Sequence, residues 1–239
     1  MKNIINIFIL VFFSIYINAQ VIKRQKNNDN SLYLSAGILI FAGISTHIST
    51  IIIDKKKFQE EFQENFSFLS SSSDEYLPYI PIITVYSFNI FKNQTKNTFI
   101  EKSILLLKSE ILNYVIVNSI KRITKIERPD KSDKLAFPSG HTSNAFVLAT
   151  FMDKELREKS KLFSVLAYSL ASVTGILRIL NNKHWLPDVM LGAGIGILST
   201  NLSYKTHNYK WTKNKNLKNF FIFPKFSKKE KSICFFYKF

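Results

Sequence analysis

A series of apolar segments, each long enough for a helix and separated by short polar connections, most constrains the fold of this chain. The first, residues 32–53, has no charged side chain, only His47, and is about long enough to cross a bilayer. Further apolar segments follow at residues 76–91, 99–120, 142–152, 162–177 and 187–202. Through this region we find neither the alternation of a half-buried strand nor an Asn-Gly hairpin signal, so we predict an all-α domain.

The composition narrows the class of protein further. Apolar residues make up 46% and charged residues 21% of the chain, which excludes a disordered or low-complexity protein. The aromatic residues are 22 Phe, 10 Tyr and 2 Trp, a balance expected of a chain that meets lipid. The net charge of +16 indicates an anionic partner, which is nucleic acid, a lipid headgroup surface or a phosphorylated substrate. The single Cys234 excludes an internal disulfide and a zinc site built from cysteines.

The chain divides into four parts. Residues 1–19 have a lysine followed by an apolar run, which predicts a signal peptide or an uncleaved N-terminal anchor. Residues 20–30 form a polar linker, and the helical segments occupy residues 31–204. The tail, residues 205–239, holds ten Lys against one Glu, interleaved with aromatics. We expect this tail to contact a membrane surface rather than nucleic acid.

Some helical segments carry additional signals. Residues 54–68 are charged and amphipathic. Residues 99–120 contain four charged side chains, so we expect an amphipathic helix there rather than a membrane span. The last segment contains Gly192 and Gly196, a spacing that lets another helix approach closely.

Three short polar clusters each lie where a helical segment ends or begins. They are Lys121 with Arg128 and Pro129, the turn Pro138-Ser139-Gly140-His141, and Arg178 with His184 and Asp188. If successive helices alternate in direction, all three clusters meet at one end of the bundle. Helical bundles assemble sites from distant parts of the sequence in this way.

The cations, the serine and the glycine of these clusters are suited to binding a phosphate group. Lys121, Arg128 and Arg178 would place three cations around one point, and an arginine fork can bind phosphate oxygens with two hydrogen bonds. The Ser139 hydroxyl can donate another bond. Gly140 lets backbone N–H groups approach an oxyanion closely at the positive end of the helix that begins there.

The two histidines and the aspartate of these clusters are suited to nucleophilic catalysis. Asp188 follows His184 by four residues, so its carboxylate can hold the imidazole Nδ1–H and leave Nε2 free as a nucleophile. His141 is then available as the general acid for the leaving oxygen. We expect no metal site and no cofactor, because neither histidine has further His or carboxylate residues placed for shared ligation.

On these motifs the sequence resembles the type 2 phosphatidic acid phosphatase (PAP2) superfamily, which also includes bacterial class A acid phosphatases and vanadium haloperoxidases. The match covers residues 121–188 directly, and the resemblance implies a six-helix bundle over residues 31–204 and a metal-independent phosphomonoesterase with a phosphohistidine intermediate. It implies that His184 is the nucleophile, Asp188 its orienting partner and His141 the acid. The implied phosphate cradle consists of Lys121, Arg128, Ser139, Gly140 and Arg178.

The sequence departs from the family pattern in two places. Leu177 stands before Arg178, where the family often has Ser, so one possible hydrogen bond is missing. Only eight residues separate Pro129 from Pro138, which is a short connection. Neither departure removes a reacting group.

The leading functional expectation is a lipid-phosphate phosphatase acting on phosphatidic acid, phosphatidylglycerol phosphate, an isoprenyl diphosphate or a lipid A phosphate. The alternatives are a broad-specificity periplasmic acid phosphatase acting on small esters, a vanadate-dependent haloperoxidase and a non-catalytic phosphate- or lipid-binding module. We expect a membrane as partner and no nucleic acid, and the sequence leaves the oligomeric state open. The positive-inside tendency of the tail favours a bacterial envelope protein whose site faces the periplasm.

Overall fold

The structure is a computed structural model. It describes residues 29–48, 54–90 and 95–207, together with the backbone of residues 220–226 and 231–237. The predicted targeting segment and nearly all of the predicted linker lie outside the described residues.

Within the described residues the fold consists of seven α-helices followed by two strands. The helices are α1 (Asp29–Ile48), α2 (Lys55–Phe66), α3 (Ile80–Ile90), α4 (Phe99–Thr124), α5 (Gly140–Leu156), α6 (Lys161–Leu180) and α7 (Leu186–Lys205). Three short 3-10 turns, Ser67–Leu69, Ser72–Glu75 and Leu77–Tyr79, connect α2 to α3. Helices α1 and α3–α7 form the bundle, while α2 lies beside the end of α6. The predicted all-α class and six-helix bundle are confirmed for this domain.

Helix α7 lies at the centre of the bundle because its glycines allow close approach on two sides. A Cβ added at Gly192 would lie 2.6 Å from the Ser139 carbonyl oxygen, and one at Gly196 would collide with the carbonyl of Ser143. On another face, a Cβ at Gly194 would lie 2.9 Å from a carbonyl oxygen of α1. The predicted close approach at Gly192 and Gly196 is therefore confirmed, with α5 as the approaching helix.

The ends of α4 follow from local sequence signals. Thr98 and Glu101 form a reciprocal capping box at its start. The helix ends at Lys125, whose φ of 48° is left-handed. Because α4 continues four residues beyond the predicted segment 99–120, Lys121 lies in its last turn rather than after it.

Three helices are long and apolar enough to cross a membrane: Asn30–Ile48, Phe99–Thr124 and Lys161–Leu180. The second contains the charged segment that we expected to be amphipathic rather than a span, and its length and composition are nevertheless sufficient to cross a membrane. Glu101 and Lys102 are buried against the rest of the bundle, so they do not interrupt the outer surface of α4. That outer surface carries exposed apolar residues such as Leu107 and Ile111. These apolar helices associate the protein with a membrane.

The basic tail contains a β-hairpin that the sequence pattern did not indicate. Strands β1 (Phe220–Phe226) and β2 (Lys231–Tyr237) pair antiparallel, with Phe220 opposite Tyr237. Apolar residues follow one another directly in the sequence of both strands, so the sequence lacks the alternation by which a half-buried strand is recognised.

Candidate active site

The three polar clusters meet at the end of the bundle where α4 and α6 end and α5 and α7 begin. The Ser139 backbone N–H donates a 2.9 Å hydrogen bond to the Asp188 carbonyl, which joins the starts of α5 and α7. Arg128 Nη1 lies 3.1 Å from His184 Nε2. The His184 backbone N–H donates to the carbonyl of Arg178 at the end of α6. The alternating helix directions expected from the sequence thus bring the clusters together.

Each of two loop cations in this region is held by a neighbouring group. Arg128 donates from Nε to Asp133 Oδ1 at 2.8 Å, within the short connection between α4 and α5. Lys183 pairs with Asp130 at 2.7 Å, which ties the same connection to the loop before α7. Asp133 thus holds Arg128 beside His184, and Asp130 fixes the connection between α4 and α5 that carries Arg128.

Lys121, the first residue of the first cluster, faces the start of α5. Its Nζ donates to the carbonyl of Leu135. A Cβ added at Gly140 would lie 3.9 Å from its Cε atom. A ligand at the N-terminus of α5 would therefore lie beside this ammonium group.

His184 and Asp188 form the buried centre of the site. Their side chains are 1% and 0% exposed, and His184 Nδ1 lies 3.5 Å from Asp188 Oδ2. That separation is longer than a hydrogen bond, and Oδ2 accepts a 2.9 Å bond from the Trp185 backbone N–H. A guanidinium can only donate, so the contact with Arg128 is a hydrogen bond in the tautomer that has Nε2 as acceptor and its ring proton on Nδ1, facing Asp188.

The electrostatics of this centre follow from burial and from the surrounding cations. Burial lowers the pKa of His184 well below its ordinary value, and the positive charges of Arg128, Lys121 and Arg178 lower it further. Burial raises the pKa of Asp188 to about 7, against the stabilising hydrogen bond from the Trp185 N–H. His184 is therefore neutral near pH 7, with its Nε2 lone pair available.

His141 lies in the first turn of α5 and is partly open to solvent. Partial burial lowers its pKa below the ordinary histidine value, as do the charges of Arg178 and Arg128, while Asp74 and Glu75 oppose the shift. Two arginines of the site are thus close enough to His141 to influence its protonation.

Ser139 and Gly140 form the start of α5. Ser139 is completely buried and caps the helix, because its Oγ accepts from the Thr142 backbone N–H and lies 2.9 Å from Thr142 Oγ1. Its hydroxyl thus already has protein partners. Gly140 is the first residue of the helix, where backbone N–H groups have no acceptor in a preceding turn. The peptide bond between Phe137 and Pro138 is cis.

Among the residues that the structure describes, no group of three or more His, Cys, Asp or Glu side chains is placed to hold a metal ion.

Two carboxylates near the site carried no signal in the sequence. Asp74, in a 3-10 turn, pairs with Arg178 at 2.7 Å, although it lies 104 positions away in the chain. Asp133 pairs with Arg128 from a connection that reads as an ordinary polar loop. Neither residue belongs to a periodic pattern or a motif, so only the three-dimensional fold identifies them.

The model of the PAP2 superfamily matches residues 102–212, a range that contains all three clusters. Two relatives are similar to part of this chain. The chain is 44% identical over 96 residues to a protein named lipid A 1-phosphatase from Porphyromonas gingivalis, covering 36% of this chain and 22% of that one. It is 32% identical over 100 residues to phosphatidylglycerophosphatase B of Bacillus subtilis, covering 37% of this chain and 47% of that one. The region that contains the three clusters therefore matches the PAP2 superfamily, as the motifs in the sequence predict.

These alignments span between about a fifth and about a half of the relatives' own lengths. A solved structure, described as the first transmembrane PAP2 type phosphatidylglycerolphosphate phosphatase from Bacillus subtilis, is similar with a TM-score of 0.51 and 24% identity. The similarity covers 76% of this chain and 98% of that one. The helical bundle is therefore a fold that this superfamily is known to adopt.

Proposed function

We propose that this protein is a metal-independent phosphatase that hydrolyses phosphate monoesters or diphosphates of lipids through a phosphohistidine intermediate. One observation carries the proposal: the Nε2 atom of a buried, neutral His184 lies among the cations Lys121, Arg128 and Arg178. A neutral imidazole is a nucleophile, and three cations can stabilise the negative charge of the phosphoryl group in the transition state. The arrangement therefore supplies both the nucleophile and the charge stabilisation that a phosphoryl transfer needs.

In the first step, the Nε2 lone pair of His184 attacks phosphorus, and the bond from phosphorus to the ester oxygen breaks. His141 gives its proton to that departing oxygen. The Nδ1–H of His184 faces Asp188, whose carboxylate stabilises the positive charge that develops on the ring. In the second step, water attacks the phosphohistidine while His141 takes up the water's proton, which releases phosphate and restores His184.

Arg128 has two roles in this scheme, first as a partner of the nucleophile and then as a partner of the phosphate. Its Nη1 donates to the same Nε2 that must attack phosphorus. On substrate binding this N–H group turns from the nitrogen to a phosphate oxygen, which frees the lone pair when the electrophile arrives. Lys121 and Arg178 bind the other oxygens, and Ser139 and Gly140 at the start of α5 complete the cradle.

A lipid substrate is supported by the surroundings of the site. Two relatives of part of this chain are named lipid A 1-phosphatase and phosphatidylglycerophosphatase B. The bundle carries three helices that are apolar and long enough to cross a membrane. We therefore assign the site to phosphatidic acid, phosphatidylglycerol phosphate, isoprenyl diphosphate or lipid A phosphate, with residues 31–204 as the catalytic domain.

We also propose that the site faces the periplasm of a bacterial envelope. Helix α7 begins at the site and ends at the opposite end of the bundle, where the tail of ten lysines follows it. Lysine-rich segments next to membrane spans favour the cytoplasmic side. The site, at the other end of α7, is then on the outer side.

Release of phosphate by the purified protein tests this function. The substrates are the four lipid phosphates and p-nitrophenyl phosphate, each assayed in EDTA with and without orthovanadate. We expect release from at least one lipid phosphate that EDTA leaves largely intact and that vanadate inhibits, because vanadate mimics the pentacoordinate phosphorus. Activity lost in EDTA and restored by Mg²⁺ or Zn²⁺ would contradict the mechanism.

The same panel separates the alternatives. A preference for small soluble esters would indicate a broad-specificity acid phosphatase. Oxidation of bromide in the presence of vanadate and peroxide would indicate a haloperoxidase. Binding of phosphate without turnover would indicate a non-catalytic module.

A further inference from the structure

A buried aspartate outside the three sequence clusters contacts one of the proposed phosphate-binding cations. Asp74 lies in the turn Ser72–Glu75, whose other residues are exposed, yet only 2% of its own surface is accessible. Its Oδ2 accepts a 2.7 Å hydrogen bond from Arg178 Nη1. We propose that Asp74 is a positioning residue that orients the Arg178 guanidinium toward the substrate phosphate. This role rests on the phosphatase function proposed above.

The geometry of the guanidinium explains how the contact acts. The group is planar and offers its donors along separate edges, so fixing Nη1 fixes the direction of the edge formed by Nε and Nη2. Arg178 is 7% exposed, and its Nε is buried without a hydrogen-bond partner among the described residues. Asp74 thus holds one edge of the fork, and the other is left to bind two phosphate oxygens.

Asp74 is itself fixed to the helix that carries the arginine. Asn181, directly after α6, donates from Nδ2 to Asp74 Oδ1 at 3.1 Å and to the Ser71 carbonyl at 2.9 Å. The Ser70 hydroxyl donates to Asn181 Oδ1 at 2.7 Å. The turn and Arg178 are therefore attached to the same helix end and keep their relative position.

The carboxylate can help a phosphate only through the arginine. Direct contact between Asp74 and a phosphate oxygen would be repulsive, since both are anionic. Removing the negative charge of Asp74 should therefore matter only while a guanidinium at position 178 needs orienting. A merely structural role in the turn would not depend on what occupies position 178.

A double-mutant cycle of Asp74→Asn and Arg178→Lys, on the full chain in detergent, tests this dependence. The measurements are kcat/KM for p-nitrophenyl phosphate and the inhibition constant of orthovanadate. We expect Asp74→Asn alone to lower kcat/KM and to weaken vanadate inhibition by about tenfold or more, the loss typical of removing a buried partner from a ligand-binding side chain. In the Arg178→Lys background, the same change should have little effect on either quantity.

Asp153→Asn is the matched control, because Asp153 is also buried and paired with an arginine, Arg157, at the other end of α5. It should leave the vanadate inhibition constant unchanged. Equal effects of Asp74→Asn in both backgrounds, or no effect in the wild-type background, would contradict the positioning role. A wild type that neither releases phosphate nor responds to vanadate would instead contradict the proposed function.

If thermal unfolding shows that Asp74→Asn does not fold, Asn181→Ala replaces it in the cycle. This variant loosens Asp74 without removing its carboxylate. We expect a smaller weakening of vanadate inhibition that disappears in the Arg178→Lys background. An inhibition constant equal to that of the wild type would contradict the role of Asp74.

Discussion

Two buried polar clusters lie at opposite ends of the helical bundle, and their charges are compensated differently. At the end away from the site, Glu155 is 1% exposed and its carboxylate accepts three hydrogen bonds, two from Asn97 and one from the Tyr204 hydroxyl. At the site, Asp188 Oδ1 and Arg178 Nε are buried without a hydrogen-bond partner among the described residues.

The difference shows which cluster serves the fold and which awaits a ligand. Burying an unpaired polar atom costs stability, yet such atoms also lie elsewhere in the bundle, as at Asn201. What distinguishes the site is that an unpaired donor, Arg178 Nε, lies together with three cations. A bound phosphate would satisfy the donors and neutralise the cations, while the cluster around Glu155 needs no ligand.

Among changes that leave the nucleophile in place, the largest expected effect comes from the proton donor of the site. His141→Ala should lower kcat/KM for a lipid phosphate by about 10²–10⁴-fold, the usual contribution of a general acid. It should affect kcat/KM for p-nitrophenyl phosphate far less, because p-nitrophenolate leaves without a proton and kcat/KM does not include the later attack of water on the phosphohistidine. Parallel assays of the purified variant on both substrates measure the ratio. Equal losses on both would mean that His141 does not protonate the leaving group.

A second change tests whether the site needs the arginine fork or only its charge. Arg178→Lys keeps a cation but loses the planar pair of donors, so kcat/KM should fall roughly a hundred-fold, as when one transition-state donor is removed. Steady-state kinetics on p-nitrophenyl phosphate give the value. A lysine that works as well as arginine would exclude bidentate binding at this position.

A third test concerns pH. His141 acts as an acid and its pKa is below the ordinary 6.5, so kcat/KM should fall as pH rises through that value. Asp188 acts as an anion and its pKa is about 7, so kcat/KM should rise as pH rises toward that value. We expect a bell-shaped profile with its maximum between the two pKa values. Asp188→Asn should flatten the acid limb and His141→Gln the alkaline limb, while the substrate's own ionisation persists in both.

The smallest expected effect on activity comes from the opposite cluster. Glu155→Gln replaces an acceptor with an amide that faces the donors of Asn97, which should cost about 1–3 kcal/mol of stability. Activity per folded molecule should not change. Thermal unfolding and p-nitrophenyl phosphate hydrolysis of the same preparation separate the two quantities. Tyr204→Phe, which removes one of the three hydrogen bonds, serves as the milder comparison.

The helical part of this account could be predicted from the sequence. Long apolar segments fix the helices, and residues such as Arg128 and His184 stand at their ends, so alternating helix directions are enough to bring them together. The spacing of Gly192 and Gly196 likewise predicts a close helix contact. These signals are local or periodic, which is why one sequence suffices to find them.

Other contacts could not be predicted because they depend on irregular backbone. Asp74 lies in a serine-rich turn, and nothing in its neighbourhood indicates a partner 104 positions away. Glu155 resembles any charged residue near a helix end until the structure shows it buried. The burial of Glu101 and Lys102 against the rest of the bundle is likewise invisible in a hydropathy pattern.

The central claim is that His184 becomes covalently phosphorylated, and trapping of labelled phosphate in alkaline detergent, where the P–N bond is stable, tests it most directly. The wild type, His184→Ala and His141→Ala are each mixed with a labelled substrate, denatured within the first turnovers and examined for label on the protein. We expect label on the wild type, none on His184→Ala, and label still present on His141→Ala with p-nitrophenyl phosphate. Label retained by His184→Ala and absent from His141→Ala would show that the two histidines have the opposite roles.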